Sequence, residues 1–197
     1  CNQFEASANK LKPQFKGSQK MTLKQTPLHA KCLASGCRMA SFAGWEMPMQ
    51  FSGLINEHEA VRKKAGMFDI SHMGVFLIKG KNTKDALQNL VPTDLYRIGA
   101  GEACYTVLLN ESGGIIDDLI IYDLGNNDNE NDNESLLLVI NAGCTAKDIE
   151  WLNKNIDQRN ISITEHKKNG VLLALQGPDA EKSLAKFTSE SLSSIPR

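Results

Sequence analysis

The chain has 197 residues, 41% of them apolar and 23% charged, and a formal net charge of −1. That balance suits a soluble globular protein with one substantial core or two small ones, and it excludes disordered and collagen-like classes. So small a net charge gives no electrostatic reason to expect nucleic acid or an anionic membrane as partner, and no apolar run is long enough to span a bilayer.

The five cysteines (Cys1, Cys32, Cys37, Cys104, Cys144) are an odd number without zinc-type spacing. Free thiols in a reducing compartment are therefore expected, rather than a disulfide framework or a metal site. Sequons at Asn110, Asn133 and Asn160 are what an Asn-rich sequence produces by chance.

Residues 1–20 carry Lys10, Lys12, Lys16 and Lys20 against Glu5, lack apolar periodicity and precede Met21, so they read as a leader or upstream extension. Thr26-Pro27-Leu28 predicts a helix with Thr26 as N-cap and Gly36 as its stop. The Ser41–Pro48 stretch mixes aromatics with Gly and Pro and reads as a strand edge passing into an irregular loop. Leu54, His58, Val61 and Ala65 recur at helical spacing, which makes His58 a core-facing residue, with Gly66 as terminator. Val75–Gly80 predicts a strand, and Thr83 the cap of a helix with Ala86, Leu87, Leu90 and Val91 on one stripe. Gly99-Ala100-Gly101 lacks the third glycine and preceding strand of a dinucleotide fingerprint.

Cys104–Leu109 predicts a strand, joined by the Asn110–Gly114 turn to a second strand as a hairpin. Residues 125–134 are almost wholly Asn, Asp and Glu; they predict an exposed loop without the spacing of a calcium-binding EF-hand. Ser135–Asn141 predicts a strand, and Thr145 with Asp148 a capping-box-like start for a helix burying Ile149, Leu152 and Ile156. Strands over Ile161–Thr164 and Val171–Leu175 follow, then a helix opened by Gly177-Pro178 with Ala180, Leu184 and Phe187 aligned. The chain then stops at Arg197 without completing an element, and truncation there is expected. Recurrent hairpins favour an α+β fold with mainly antiparallel sheets and packed helices.

The chemistry-bearing stretch is Gly113-Gly114-Ile115-Ile116-Asp117-Asp118-Leu119-Ile120-Ile121-Tyr122, which sets two acids inside an apolar run. If the strand begins at Ile115, Asp118 shares a face with Ile116, Ile120 and Tyr122, and Asp117 with Ile115, Leu119 and Ile121. Either acid on an apolar face must be hydrogen-bonded, paired or neutralised. Two ordinary readings stay open: a strand starting only at Leu119, or a sheet face wet enough to take an acid. The functional reading is a partly desolvated carboxylate that positions or deprotonates an amine or hydroxyl.

Several segments in series resemble one family, the aminomethyltransferases or T-proteins of the glycine cleavage system. They are Thr26-Pro27-Leu28; Phe42-Ala43-Gly44-Trp45-Glu46-Met47-Pro48; Gly66-Met67-Phe68-Asp69-Ile70-Ser71-His72-Met73-Gly74; Asn110 to Leu119; Asn141-Ala142; and Ala174-Leu175-Gln176-Gly177-Pro178. In that order and spacing the series is highly specific, and its one departure is the Asn-rich expansion at 126–134. The resemblance implies a tetrahydrofolate-dependent enzyme that takes the aminomethyl group from the lipoyl arm of the H-protein and passes its one-carbon unit to tetrahydrofolate, releasing ammonia. It implies Asp118 as the catalytic carboxylate at the folate N10, and Met73, Tyr105, Ile120 and Tyr122 as folate contacts. For Met73 and Tyr105 the residues alone favour ordinary core packing, and only the resemblance reverses that preference. His72 is expected to be a hydrogen-bonded structural residue, and Asp117 to have no catalytic role.

The implied fold is part of a folate-binding three-domain ring whose C-terminal domain this chain lacks. Residues 21–70 would be the first segment of a discontinuous domain 1, residues 71–165 domain 2, and residues 166–197 the start of a return to domain 1. Such a piece would bind folate poorly and turn over slowly. Partners would be the lipoylated H-protein and other glycine cleavage components, with no metal, in the cytoplasm of a bacterium or the mitochondrion of a eukaryote. The alternatives are a folate-binding protein of the iron–sulfur assembly type without transferase activity, a folate-dependent demethylase, and a structural interaction module.

Overall fold

Residues 22–126 and 133–195 are described by a computed structural model. The predicted extension at 1–20 and most of the Asn-rich loop lie outside the described residues. The alternating apolar runs in the middle of the sequence build a five-stranded antiparallel sheet, ordered β6–β7–β8–β5–β9. Its strands are β5 (Gly74–Lys81), β6 (Ala103–Leu109), β7 (Ile115–Gly125), β8 (Asn133–Ile140) and β9 (Ile161–Glu165).

One face of this sheet is dry. Leu119 and Ile121 of β7, Leu136, Leu138 and Ile140 of β8, Leu108 of β6 and Ile78 of β5 bury their side chains there. Two helices close over them: α3 (Thr83–Gln88), through Leu87, and α4 (Thr145–Asn155), through Leu152. Each buried Leu or Ile contributes on the order of 1.5–3 kcal/mol of transfer free energy, so this face holds the molecule's principal core.

Two smaller sheets flank it. β1 (Lys24–Gln25) runs parallel to β3 (Trp45–Gln50), which pairs antiparallel with β2 (Arg38–Phe42). β4 (Gly66–Asp69) pairs antiparallel with β10 (Leu173–Gln176), joining residues about a hundred positions apart. The remaining helices are α1 (His29–Ala34), α2 (Leu54–Lys63) and α5 (Ala180–Leu184). At the α2–β4 junction Gly66 has no room for a side chain, since a Cβ there would lie 2.3 Å from Val61 Cγ2.

Several sequence expectations need correction. Residues 41–48 are a β-hairpin, not a strand entering a loop: Ala43 and Gly44 turn the chain with φ of 49° and 81°. Pro48 is tolerated in β3 because the β1 pairing stops at Glu46 and β2 carries a bulge opposite, so its missing N–H breaks no ladder bond. Thr26 does not cap α1, which starts three residues later; its hydroxyl donates to Asp69 Oδ2 at 2.6 Å. Thr83 lies inside α3, not at its cap, and its hydroxyl donates to the Gly80 carbonyl. His58 is exposed, because α2 buries no residue fully and leaves Leu54 and Ile55 in solvent. Phe187, expected to align with Ala180 and Leu184 on one helix, lies beyond α5 and is 86% exposed. Thr145 and Asp148 form no capping box: Thr145 donates to the Asn141 carbonyl, and Asp148 turns into the core.

Candidate functional site

β7 begins at Ile115, so both acids sit within the strand and face opposite sides of the sheet. Across the β6–β7 hairpin, Tyr105 lies opposite Ile120, Val107 opposite Asp118 and Ala103 opposite Tyr122. The register continues across the sheet, setting Tyr105, Ile120, Val139 and Val75 in one row and Ala103, Tyr122, Leu137 and Leu77 in the next. On this second face Tyr105 and Tyr122 are 68% and 37% exposed. Met73 immediately precedes β5, whose first residue pairs with Ile140, itself paired with Leu119; it therefore lies at the Asp118 end of the sheet.

Tyr105 reaches diagonally across the hairpin and donates its phenol proton to Asp118 Oδ2 at 2.5 Å. That bond, followed by partial burial and the charges of Asp118 and Asp117, raises the pKa of the Tyr105 phenol. The result is a carboxylate held by one aromatic hydroxyl, on a face that also carries Ile120 and, two rows along, Tyr122. Such a face can stack a flat ring while offering one acceptor for an N–H or O–H at its edge.

The other side of β7 is different. Asp117 accepts from Asn141 Nδ2 at 3.3 Å on both oxygens, while the same amide donates to the Asp118 backbone carbonyl at 3.0 Å. Asp148 of α4 is 1% exposed, and among the described residues no donor bonds either of its oxygens. Its carboxyl is pushed up to about 7 by burial first, then by hydrogen bonding to Asp117 and by the Asp117 charge. Lys147, whose ammonium donates to the Ile116 carbonyl at 2.7 Å, pulls in the opposite direction. The sequence reading gave Asn141 no role and took Asp148 for a cap. The signal available for Asp148 was its position one turn before Leu152, on the inward stripe of α4.

His72 is not hydrogen-bonded at Nδ1 as expected: that atom is buried and unpartnered among the described residues, and the ring packs edge-on against Phe42 at 5.5 Å. Burial is the main cause of its lowered pKa. An apolar cleft of about 300 Å³ opens elsewhere, lined in part by Leu28, Met49, Phe51, Val61 and Met67. Its two acids are already engaged: Glu57 accepts the backbone N–H groups of Phe51, Ser52 and Gly53, and Asp69 accepts from Thr26 and Ser71. The β6–β7 face presents an acid and aromatic surface open together. Among the described residues no cluster of His, Cys, Asp and Glu could hold a metal ion, and Cys32, Cys37, Cys104 and Cys144 are free thiols.

These features define an α+β protein whose antiparallel sheet buries one face under helices and turns the other, bearing Asp118 and two tyrosines, outward. The GCVT N-terminal domain family matches residues 28–196. The chain belongs to that family. It is 63% identical over 177 residues to an aminomethyltransferase of Prochlorococcus marinus, covering 90% of this chain and 47% of that protein. It is 59% identical over 172 residues to an aminomethyltransferase of a Synechococcus species, covering 87% and 47%. The crystal structure of glycine cleavage system aminomethyltransferase T from Bartonella henselae superposes with a TM-score of 0.76 at 36% identity, over 84% of this chain and 44% of that one. The chain spans about half the length of the curated relatives it matches. No helix among the described residues is long and apolar enough to cross a membrane.

Proposed function

We propose that this chain carries the acid-bearing part of a tetrahydrofolate-dependent aminomethyltransferase of the glycine cleavage system, with the aminomethyl-lipoyl H-protein as donor. The observation that carries the reading is Asp118 standing on the open sheet face, bonded to Tyr105, with Ile120 and Tyr122 following it along the same face. The aromatic and apolar rows suit a flat heteroaromatic substrate, and the carboxylate suits one amine at its edge. In this reading Asp118 orients the folate N10 amine and takes its proton as the new carbon–nitrogen bond forms, while Tyr105, Ile120, Tyr122 and Met73 hold the ring system. Ammonia and the dihydrolipoyl carrier leave as the other products.

The names of the relatives support the assignment. Their bacterial origin supports a cytoplasmic location. Pairing of β4 with β10 supports a discontinuous first domain made of residues 21–70 and 166–197 around a second domain at 71–165.

The test is Asp118→Asn, assayed with aminomethylated H-protein and tetrahydrofolate and compared with the parent by circular dichroism and thermal unfolding. Transfer should fall by about 10²-fold or more, the scale of a lost general base, with the unfolding temperature unchanged. Tetrahydrofolate binding, followed by tyrosine fluorescence, should weaken in Tyr105→Ala and Tyr122→Ala. Equal transfer rates for the parent and Asp118→Asn would count against the assignment, as would unchanged binding in both tyrosine variants.

A further inference from the structure

The side of β7 turned away from the open face holds a group that the proposed chemistry does not use. Asp148 is 1% exposed, yet among the described residues neither of its oxygens accepts a hydrogen bond, and the neighbouring carboxyl of Asp117 acts on it. An ionised carboxylate in such a place, facing a second one, is untenable: it lacks both solvent and a counter-charge at contact. One proton between the two acids removes the conflict, since the protonated carboxyl becomes the donor its neighbour needs. Asp117 is the better anion of the two, because Asn141 Nδ2 bonds both of its oxygens, and Asp148 is the better place for the proton.

We propose that Asp148 is a positioning residue, holding a proton shared with Asp117 so that Asp117 and Asn141 fix the backbone of Asp118. In this arrangement the Asp148 proton lies toward Asp117, whose carboxyl raises the Asp148 pKa; Asp117 accepts from Asn141, and Asn141 donates to the Asp118 carbonyl at 3.0 Å. Loss of the proton sets two like charges against each other at the base of α4. The Asn141 amide, shared between the Asp117 carboxylate and the Asp118 carbonyl, is where that repulsion reaches the strand. The charged or titratable groups facing the pair are Asp118 on β7, Lys147 on α4 and Cys144 at the start of α4. Lys147 does not neutralise the pair, for its ammonium is spent on the Ile116 carbonyl.

The importance of this for catalysis rests on the role proposed for Asp118, but the test does not. Carbon-13 NMR of the 197-residue chain, without folate, follows the Asp148 and Asp117 side-chain carboxyls, the Asn141 side-chain amide and the Asp118 carbonyl between pH 3 and 9. The expected result is an Asp148 midpoint near 7, with the Asn141 and Asp118 signals moving at the same midpoint. Asp148→Asn, which keeps a neutral donor, should hold the Asn141 and Asp118 signals at their low-pH positions throughout. Asp148→Leu, which removes the donor, should displace them at every pH. An Asp148 midpoint in the ordinary carboxylate range near 4 overturns the proposal, as do Asn141 and Asp118 signals that ignore a raised Asp148 titration. Failure of folate binding with these couplings intact would instead indict the functional reading alone.

Discussion

Asp118 and Tyr105 are exposed enough that their hydrogen bond adds little to folding, so its importance lies in where it points the carboxylate. The phenol reports the bond directly: donating to Asp118 makes its own proton harder to lose. In Asp118→Asn the Tyr105 phenol should therefore ionise at lower pH, moving toward the ordinary value of about 10. Tyr96 provides an internal control. Its phenol donates to Asp85 and is pushed up to about 12 mainly by that bond, which Asp118→Asn leaves untouched. Carbon-13 NMR of the tyrosine Cζ atoms resolves the two, and a Tyr105 titration identical in parent and variant would show that the bond does not form in solution.

Between elements, α3 is tied to the end of β7 by a buried ion pair. Lys84 Nζ lies 2.6 Å from Asp123 Oδ2, with side chains 13% and 8% exposed, and also donates to the Ile98 carbonyl. Asp123 has the Gly125 N–H as a further donor, which is too little to support a buried charge alone. Lys84→Met should cost about 3–5 kcal/mol of stability in urea unfolding, and Lys84→Met with Asp123→Leu should recover much of that loss. A single variant that costs less than about 1 kcal/mol, the range of a solvated surface pair, would place the bridge in water. Neither partner was singled out in the sequence, because burial of Asp123 depends on a pairing register that its neighbours do not reveal. The strands of the large sheet were legible because apolar alternation and one dry face impose each other. The Ala43-Gly44 hairpin was not, since Ala at positive φ lacks the Asn or Asp that marks such turns. The threonines of α1, α3 and α4 mislead for a shared reason: their hydroxyls bond tertiary or preceding groups in place of the helix N–H groups they precede. At the site, the parity of β7 separated Asp118 from Asp117, whereas Asn141, which bonds Asp117, lies just past the end of β8, where no strand pattern points to it.

Across the whole molecule, one buried and one half-buried group of opposite character shape how stability responds near neutral pH. Asp148 has a folded pKa raised from 3.8 to about 7, so between those values the native state keeps a proton that the unfolded chain has lost. Stability from this group is fully present below about 4 and declines as pH rises through the window, becoming level above about 7. His72 works the other way. Its folded pKa is lowered from 6.5 by burial, so as pH falls below 6.5 the unfolded chain gains a proton that the native state refuses, and stability declines. Where the windows overlap, below pH 6.5, the two slopes oppose each other, and the parent protein should show a shallow profile there that conceals both groups. Single variants separate them. Asp148→Asn should leave the His72 slope, with stability rising as pH increases to about 6.5; His72→Phe should leave the Asp148 slope, with stability falling toward about 7. Urea unfolding at pH steps from 4.5 to 8, with m unchanged among the three proteins, measures both. An Asp148→Asn profile parallel to that of the parent would mean that Asp148 carries no extra proton in the folded chain.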